Sequence, residues 1–102
     1  MAVIAKGCTV KNTFTFPYKA ENIENIYVTY CQSAKCVFEK EACDCSIEDG
    51  KVTIHLSQEE TLKFDTSKTI HIQMRVKFKN GSATKSNIIE ASTDRVLKKE
   101  VI

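Results

Sequence analysis

Residues 69–81 read TIHIQMRVKFKNG, and this stretch decides the fold class of the chain. Apolar side chains occupy every second position from Ile70 to Phe78, and polar side chains fill the positions between them. A period of two is typical of a β-strand with one buried and one solvated face. Asn80-Gly81 follows at once, and this dipeptide predicts that the strand turns back in a β-hairpin.

The register of this hairpin depends on the length of its loop. A two-residue loop places Lys85 opposite Val76, whereas a three-residue loop over residues 80–82 places Ser86 there and Ile88 opposite Met74. We favour the three-residue loop, because it keeps Lys85 on the solvated face.

A second hairpin is predicted around Asp49-Gly50, with strands over residues 43–48 and 51–56. A type I′ turn with a two-residue loop pairs Glu48 with Lys51 in a salt bridge and makes every inward pair apolar. The inward pairs are Ile47–Val52, Cys45–Ile54 and Cys43–Leu56. The pattern therefore predicts that Cys43 and Cys45 lie in a hydrophobic core.

The remaining elements are short. Alternation predicts strands over residues 10–16, 26–31 and 36–39, and a last strand over residues 95–98. Ser57 and Glu60 form a capping box that begins a helix of one or two turns. Seven or eight short strands at regular spacing predict a single all-β domain over residues 1–102, an immunoglobulin-like antiparallel β-sandwich with one short helix. A small closed barrel is the alternative.

Composition excludes several classes of protein. The chain has 102 residues, of which 42% are hydrophobic and 27% charged, so it is neither a disordered tail nor a low-complexity linker. The formal net charge of +2 gives no reason to expect nucleic acid or an anionic membrane as a partner. The longest early apolar run, residues 2–5, is too short for a signal peptide, so we expect synthesis in a cytoplasm.

The five cysteines are read as reduced thiols rather than as metal ligands. Cys31, Cys36, Cys43 and Cys45 are separated by four, six and one residues, which does not match the closely spaced pairs of zinc knuckles. Cys31 and Cys36 face each other if the turn covers residues 32–35, and such a pair can oxidise after lysis. We expect no metal and no cofactor.

Catalytic candidates are few. His55 and Asp44 fall opposite each other on the solvated face of the second hairpin, but the register puts Ser46 two positions away, so no nucleophile is placed beside His55. His71 alternates with core residues and is predicted to face solvent. The chain also lacks a phosphate-binding glycine motif. We therefore expect that the protein is not an enzyme.

A stripe of cations follows the first hairpin. Arg75, Lys77, Lys79 and Lys85 share its solvated face, and Lys98 and Lys99 add to it. Such a stripe can follow a nucleic-acid backbone, but no exposed aromatic residues are interleaved with it for base stacking. We interpret it as a solvated face that protects against edge pairing.

The two ends of the chain are its most apolar exposed candidates. Apolar termini must pack on their own domain or on a neighbour. The predicted protein-interaction residues are Met1, Ala2, Val3, Ile4, Val101 and Ile102.

The chain resembles small proteins of similar length from the structural-gene modules of phages and prophages of clostridium-like Gram-positive hosts. The resemblance lies in residues 13–17, in residues 27–30 with Gln32, and above all in residues 56–62 with Phe64. It continues through Ile72-Gln73, Arg75-Val76, residues 86–88 and the Val101-Ile102 end.

This resemblance implies a virion component and no reaction. The expected function is that of a non-enzymatic structural protein of a phage virion or phage-derived tail particle, in the tail, the baseplate or a head decoration. Its expected partners are other virion or tail structural proteins, and it is expected to be multi-copy or homo-oligomeric in the assembly. The alternative is a carbohydrate- or host-surface-binding module that uses the loops of the sandwich, although the absence of Trp weakens it.

Overall fold

The computed structural model describes residues 2–102, which form two β-sheets around a shared core. The strands are β1 (Ala2–Ile4), β2 (Val10–Phe16), β3 (Ile23–Gln32), β4 (Lys35–Glu41), β5 (Cys45–Glu48), β6 (Gly50–Leu56), β7 (Ile70–Phe78), β8 (Ala83–Lys85) and β9 (Ile89–Thr93). One α-helix, α1 (Gln58–Leu62), links β6 to β7. Single 3-10 turns cover Ala20–Asn22 and Ala42–Asp44.

The strand order identifies the fold. The larger sheet runs β1-β9-β7-β3-β4, with β8 also paired to β7, and the smaller sheet runs β2-β6-β5. These orders match the G-F-C-C′ and B-E-D arrangement of an immunoglobulin variable-type domain, with β1 added in parallel beside β9. The predicted all-β immunoglobulin-like sandwich with one short helix is confirmed.

The core follows from alternation on the two central strands. Ile26, Val28 and Tyr30 of β3 are fully buried, and the alternate residues of β7 between Ile70 and Val76 are also buried. Tyr30 reaches Asn12 of the smaller sheet, whose side-chain amide donates to the phenol oxygen at 3.0 Å. Burial raises the pKa of Tyr30 to about 12.

The Asn80-Gly81 hairpin forms, but both registers considered from the sequence are wrong. The structure pairs Val76 with Thr84 and Arg75 with Lys85. Hydrogen bonds join Phe78 N to Ser82 O and Gly81 N to Phe78 O, so the three-residue loop covers residues 79–81. The loop has the favoured length but starts one residue earlier. Lys85 remains exposed because the shift places it opposite Arg75 on the solvated face.

The Asp49-Gly50 hairpin has the predicted register over β5. Glu48 pairs with Lys51, Ile47 with Val52 and Cys45 with Ile54, and the Glu48–Lys51 ion pair measures 3.4 Å. The pair Cys43–Leu56 is wrong. Residues 42–44 form a 3-10 turn instead, in which Glu41 and Asp44 make a capping box. Cys43 is therefore exposed, whereas Cys45 packs against the core.

The ends of the chain depart most from prediction. No strand forms over residues 95–98; the last strand is β9, at residues 89–93.

The helix and its capping box are confirmed: Glu60 N donates to Ser57 Oγ at 3.2 Å, and Ser57 N donates to Glu60 Oε1 at 2.9 Å. Within residues 2–102, no helix has the length and apolar character needed to span a bilayer.

Candidate functional site

The N-terminal strand divides its apolar side chains between solvent and the core. Val3 is 62% exposed, whereas Ile4 is 2% exposed and belongs to the hydrophobic core. Thr93 Oγ1 donates to the carbonyl of Ile4 at 2.7 Å and fixes β1 beside β9. The prediction that Ile4 is a free interaction residue is therefore wrong, because the side chain packs on its own domain.

The other two predicted N-terminal residues are described less fully. Met1 lies outside the described residues. The backbone of Ala2 pairs with Ala91 at the start of β1. Where the structure describes the side chains of the predicted N-terminal interaction residues, Val3 is exposed and Ile4 is buried.

The C-terminal apolar residues are exposed and held in place. Val101 is 56% exposed and Ile102 is 86% exposed. The side-chain amide of Gln58 on α1 binds the backbone of Ile102 on both sides: Ile102 N donates to Gln58 Oε1 at 2.9 Å, and Gln58 Nε2 donates to Ile102 O at 3.4 Å. This contact attaches the end of the chain to the helix while the side chain of Ile102 stays in solvent.

Leu97 is the most exposed of the apolar residues that the sequence analysis missed. It is 88% exposed and lies in the irregular segment between β9 and the C-terminus. Its neighbour Val96 is half-buried and comes close to Gly7, where an added Cβ would lie 3.2 Å from Val96 Cγ2. The sequence analysis did not predict that Leu97 is exposed, because it placed Leu97 in a strand over residues 95–98.

The cysteines lie in separate environments. Cys31 and Cys36 are directly opposed across β3 and β4, as predicted. Burial, together with the neighbouring thiol of Cys36, raises the pKa of Cys31, and burial also raises the pKa of Cys45 to about 11. A raised thiol pKa lowers the thiolate fraction that binds metals or attacks electrophiles. Within residues 2–102, no three His, Cys, Asp or Glu side chains are grouped as metal ligands.

His55 has a serine neighbour that the sequence analysis did not predict. Ser46 Oγ lies 3.3 Å from His55 Nε2, across β5 and β6. Asp44 is not the orienting group, because its Oδ2 accepts a hydrogen bond from Glu41 N at 3.1 Å in the 3-10 turn. A Ser–His contact on an exposed face, without a carboxylate bound to the imidazole among the described residues, matches only part of a catalytic triad.

A cleft of about 610 Å³ opens beside this pair, at the end of the sandwich near α1. Lys11 and Asp44 also line the cleft, and one wall is the ion pair of Lys40 and Glu60, in which Lys40 Nζ donates to Glu60 Oε1 at 2.7 Å. Burial alone would raise the pKa of Glu60, but hydrogen bonds from Lys40 and Ser57 outweigh it and lower the pKa. The two charges satisfy each other, so the cleft presents little free charge to a ligand at this wall.

The predicted cation stripe lies on the surface. Arg75, Lys77 and Lys85 are exposed side by side on β7 and β8. Lys77 also faces Glu24 at 3.7 Å, so part of the stripe is neutralised by an acidic partner. The arrangement agrees with a solvated sheet face.

One loop aromatic was missed. Tyr18 is 39% exposed and packs edge-on against Phe16 and Phe78, with ring centroids 5.2 and 5.0 Å apart. It lines a shallow depression of about 520 Å³ together with Asn22, Asn80 and Ser82. An aromatic face beside amide and hydroxyl groups is a surface that can stack on and hydrogen-bond a sugar.

The chain has neighbours in fold among solved structures. No protein-family model matches it, and no curated protein matches it. Two solved structures of mouse leukocyte-associated immunoglobulin-like receptor 1 are similar in fold. Its immunoglobulin-like domain aligns with a TM-score of 0.49 and 12% identity, covering 91% of this chain and 86% of that one. Its extracellular domain aligns with a TM-score of 0.43 and 13% identity, covering 95% and 84%. Both are described as strand-swapped dimers.

Proposed function

We propose that this protein is a non-enzymatic structural component of a phage virion or phage-derived tail particle. It acts in many copies by docking to other virion or tail structural proteins, within the tail, the baseplate or a head decoration. The resemblance over residues 13–17, 56–62 and 86–88 supports the phage origin. The exposed apolar end of the chain supports docking.

The observation that carries the docking role is the C-terminal attachment to α1. An unbound apolar tail would lose conformational entropy when a partner ordered it. Gln58 reduces that loss, because its amide already holds the backbone of Ile102 while Val101 and Ile102 remain exposed. A preorganised apolar end is suited to a neighbour's pocket.

Incorporation into particles tests this role. The double variant Val101→Ser/Ile102→Ser keeps the backbone contacts with Gln58 and removes the apolar surface. In a host that makes the rest of the assembly, we expect this variant to fold and to be missing from purified particles. Leu97→Ser is the matched control, because it removes a similarly exposed apolar side chain outside the predicted docking residues. Particles that keep the double variant at full copy number would rule out docking through this end.

The N-terminal contribution needs a point variant rather than a truncation. Deleting residues 1–5 would remove the buried Ile4 and the pairing of β1 with β9, so a truncation would disturb folding as well as docking. Val3→Ser leaves both in place and changes only an exposed side chain. Loss of Val3→Ser from particles would add this end to the docking surface.

The alternative function, binding to carbohydrate or to a host surface, is favoured by one observation. Tyr18 is 39% exposed and lines a depression with Asn22 and Asn80 on the loops. Purified protein that binds host cell-wall glycans, and loses this binding on Tyr18→Ala while Tyr27→Ala retains it, would establish this alternative. Absence of binding to those glycans would leave docking to proteins as the proposed role.

A further inference from the structure

Among the described strands, β2 lies at the edge of its sheet and has one edge unpaired along its full length. The smaller sheet runs β2-β6-β5, so β2 pairs with β6 on one side, and no other described strand pairs with it. In an immunoglobulin sandwich the A strand normally lies beside the B strand. Here the first strand, β1, pairs with β9 in the other sheet instead. The position beside β2 is therefore unfilled within residues 2–102.

The backbone groups that face this edge follow from the ladder. Glu48 and Lys51 close the two-residue hairpin, and a turn of this kind joins its flanking residues by a backbone hydrogen bond. Alternation along β6 then directs Val52, Ile54 and Leu56 towards β2. Their partners are Phe14, Asn12 and Val10. The N–H and C=O groups of Lys11, Thr13 and Thr15 consequently point away from the sheet.

The other strand edges carry the protections that proteins use against pairing. Strand β5 has four residues and ends at Glu48, and β1 has three residues. Strand β4 carries four charged residues in seven, and its pairing with β3 is interrupted by a register shift. Strand β2 has seven residues, with Lys11 as its single charge. Among the described strands, it is the long edge with the least protection.

An apolar groove lies next to the same edge. It has a volume of about 280 Å³ between the two sheets, and its walls include Phe14, Ile72, Met74 and Ile89. Ile89, in its wall, is 37% exposed, and the next residue back along the chain, Ile88, is 60% exposed. A strand added beside β2 would place every second side chain on the groove side, because β-strand side chains alternate between faces.

We propose that this edge binds β2 of a second copy of the chain, in an antiparallel pair centred on Thr13. That register places Thr13 opposite Thr13, Lys11 opposite Thr15, and Val10 opposite Phe16 of the second copy. The residues whose backbone groups face the edge fall opposite one another, which allows six hydrogen bonds between the strands. The two Lys11 ammonium groups are separated, since each faces a threonine. The two smaller sheets become one continuous sheet.

This inference rests on the proposed function in one respect: a structural protein that acts in many copies needs contacts between copies of the chain. It names a different surface from the C-terminal docking end. Its test uses purified protein, so it can fail while incorporation into particles succeeds, and the reverse also holds.

The experiment measures the oligomeric state of the full chain by sedimentation equilibrium over a range of concentrations. The parent protein is expected to reach twice the monomer mass. Thr13→Lys places two ammonium groups directly opposite each other in the dimer alone, so it should raise the dimer dissociation constant by about tenfold or more. The matched control is Thr53→Lys. Thr53 is the cross-strand partner of Thr13 on β6, and the two hydroxyl oxygens lie 3.2 Å apart, so both variants lose the same contact.

A charge-swap mixture makes the test decisive. Thr13→Glu alone should also be monomeric, and an equimolar mixture of Thr13→Lys with Thr13→Glu should recover the dimer as a heterodimer. Equal thermal melting of Thr13→Lys and Thr53→Lys checks that neither has unfolded. A parent that stays monomeric at every concentration would overturn the proposal. So would a dimer that Thr13→Lys and Thr53→Lys weaken equally.

Discussion

The two hairpins with two-residue loops, β3–β4 and β5–β6, have turn conformations opposite to those that their loop sequences predict. Ser33-Ala34 joins β3 to β4 without a glycine, yet both residues have positive φ, 51° and 61°, as a type I′ turn requires. Asp49-Gly50 joins β5 to β6 with a favourable type I′ sequence, yet only Gly50 has positive φ, at 90°. The type I′ geometry predicted for Asp49-Gly50 is therefore wrong, and the strained geometry occurs where side chains oppose it.

The difference follows from what holds each hairpin. The hairpin of β3 and β4 is fixed at both of its ends to the segment that follows β6. Next to its turn, Gln32 Nε2 donates to the carbonyls of Asp65 and Lys68 at 2.8 and 3.0 Å, and Asp65 N donates to Gln32 Oε1 at 2.9 Å. At its open end, Lys40 binds Glu60. The second hairpin has one such link at its turn, from Ala20 N to Asp49 Oδ1 at 2.9 Å. Tertiary contacts can thus impose a turn that local sequence disfavours.

Removing the anchor beside the first turn should have the largest effect. Gln32 is 6% exposed, and Gln32→Ala removes its three part-buried hydrogen bonds to two carbonyls and one N–H of Asp65 and Lys68. We expect a loss of about 3 kcal/mol in the free energy of unfolding, measured by urea denaturation. Gln73→Ala is the control, because Gln73 makes one hydrogen bond, to Ser86 O, from a half-buried site. Equal losses in the two variants would contradict the anchoring role of Gln32.

The Asp49-Gly50 turn depends more on the positive φ of its glycine than on side-chain hydrogen bonds to other segments. At Gly50 an added Cβ would meet no atom within 4 Å, so substitution tests backbone strain alone. Gly50→Val should cost about 2 kcal/mol, because a β-branched residue rarely adopts positive φ. Gly50→Asn is the control and should cost less, since Asn tolerates this region. The measurement is the thermal midpoint, and a midpoint of Gly50→Val within about a degree of the parent would contradict the turn geometry.

Acid should break the Lys40–Glu60 contact that holds the open end of the β3–β4 hairpin. The folded-state pKa of Glu60 lies below its ordinary value of 4.5, because hydrogen bonds from Lys40 and Ser57 outweigh burial. The unfolded state therefore binds more protons in this range, and the stabilisation is present above pH 4.5 and lost as pH falls through the folded-state pKa. Glu60→Gln should lower stability by about 1.5 kcal/mol at neutral pH and leave a shallower acid loss.

Denaturant titrations from neutral to acid pH provide the measurement for Glu60. Glu59→Gln is the matched control, because it removes an exposed charge from the same helix and should keep the acid profile of the parent. Profiles of Glu60→Gln and the parent that stay parallel down to acid pH would show that the Lys40–Glu60 pair does not fix the hairpin.

Much of the fold was predictable because it depends on local pattern. Alternation over residues 70–78, the capping box at Ser57 and the pairing of Glu48 with Lys51 each involve neighbours in sequence or in one hairpin. Some of the wrong predictions depend on distant contacts, whereas the shifted loop over residues 79–81 and the 3-10 turn at Ala42–Asp44 are local. Ile4 is buried because β9 lies beside it, and Leu97 is exposed because the segment after β9 leaves the sheet. The contact of Gln58 with Ile102 joins residues 44 positions apart, and no periodicity indicates it.

The smallest expected effect concerns backbone strain at Ala34 in the β3–β4 turn. If distant contacts impose positive φ on Ala34, relieving that strain should stabilise the protein. Ala34→Gly removes the clash of Cβ in the left-handed region but gives the unfolded chain more freedom, so we expect a net gain of about 1 kcal/mol at most. Ala83→Gly is the matched control on exposed β8, where φ is not positive, and it should instead lose about 0.5–1 kcal/mol. Opposite signs in urea denaturation would establish strain at the Ser33-Ala34 turn. A loss in both variants would mean that this turn is unstrained, and the contrast between the two hairpins would then lie in their anchors alone.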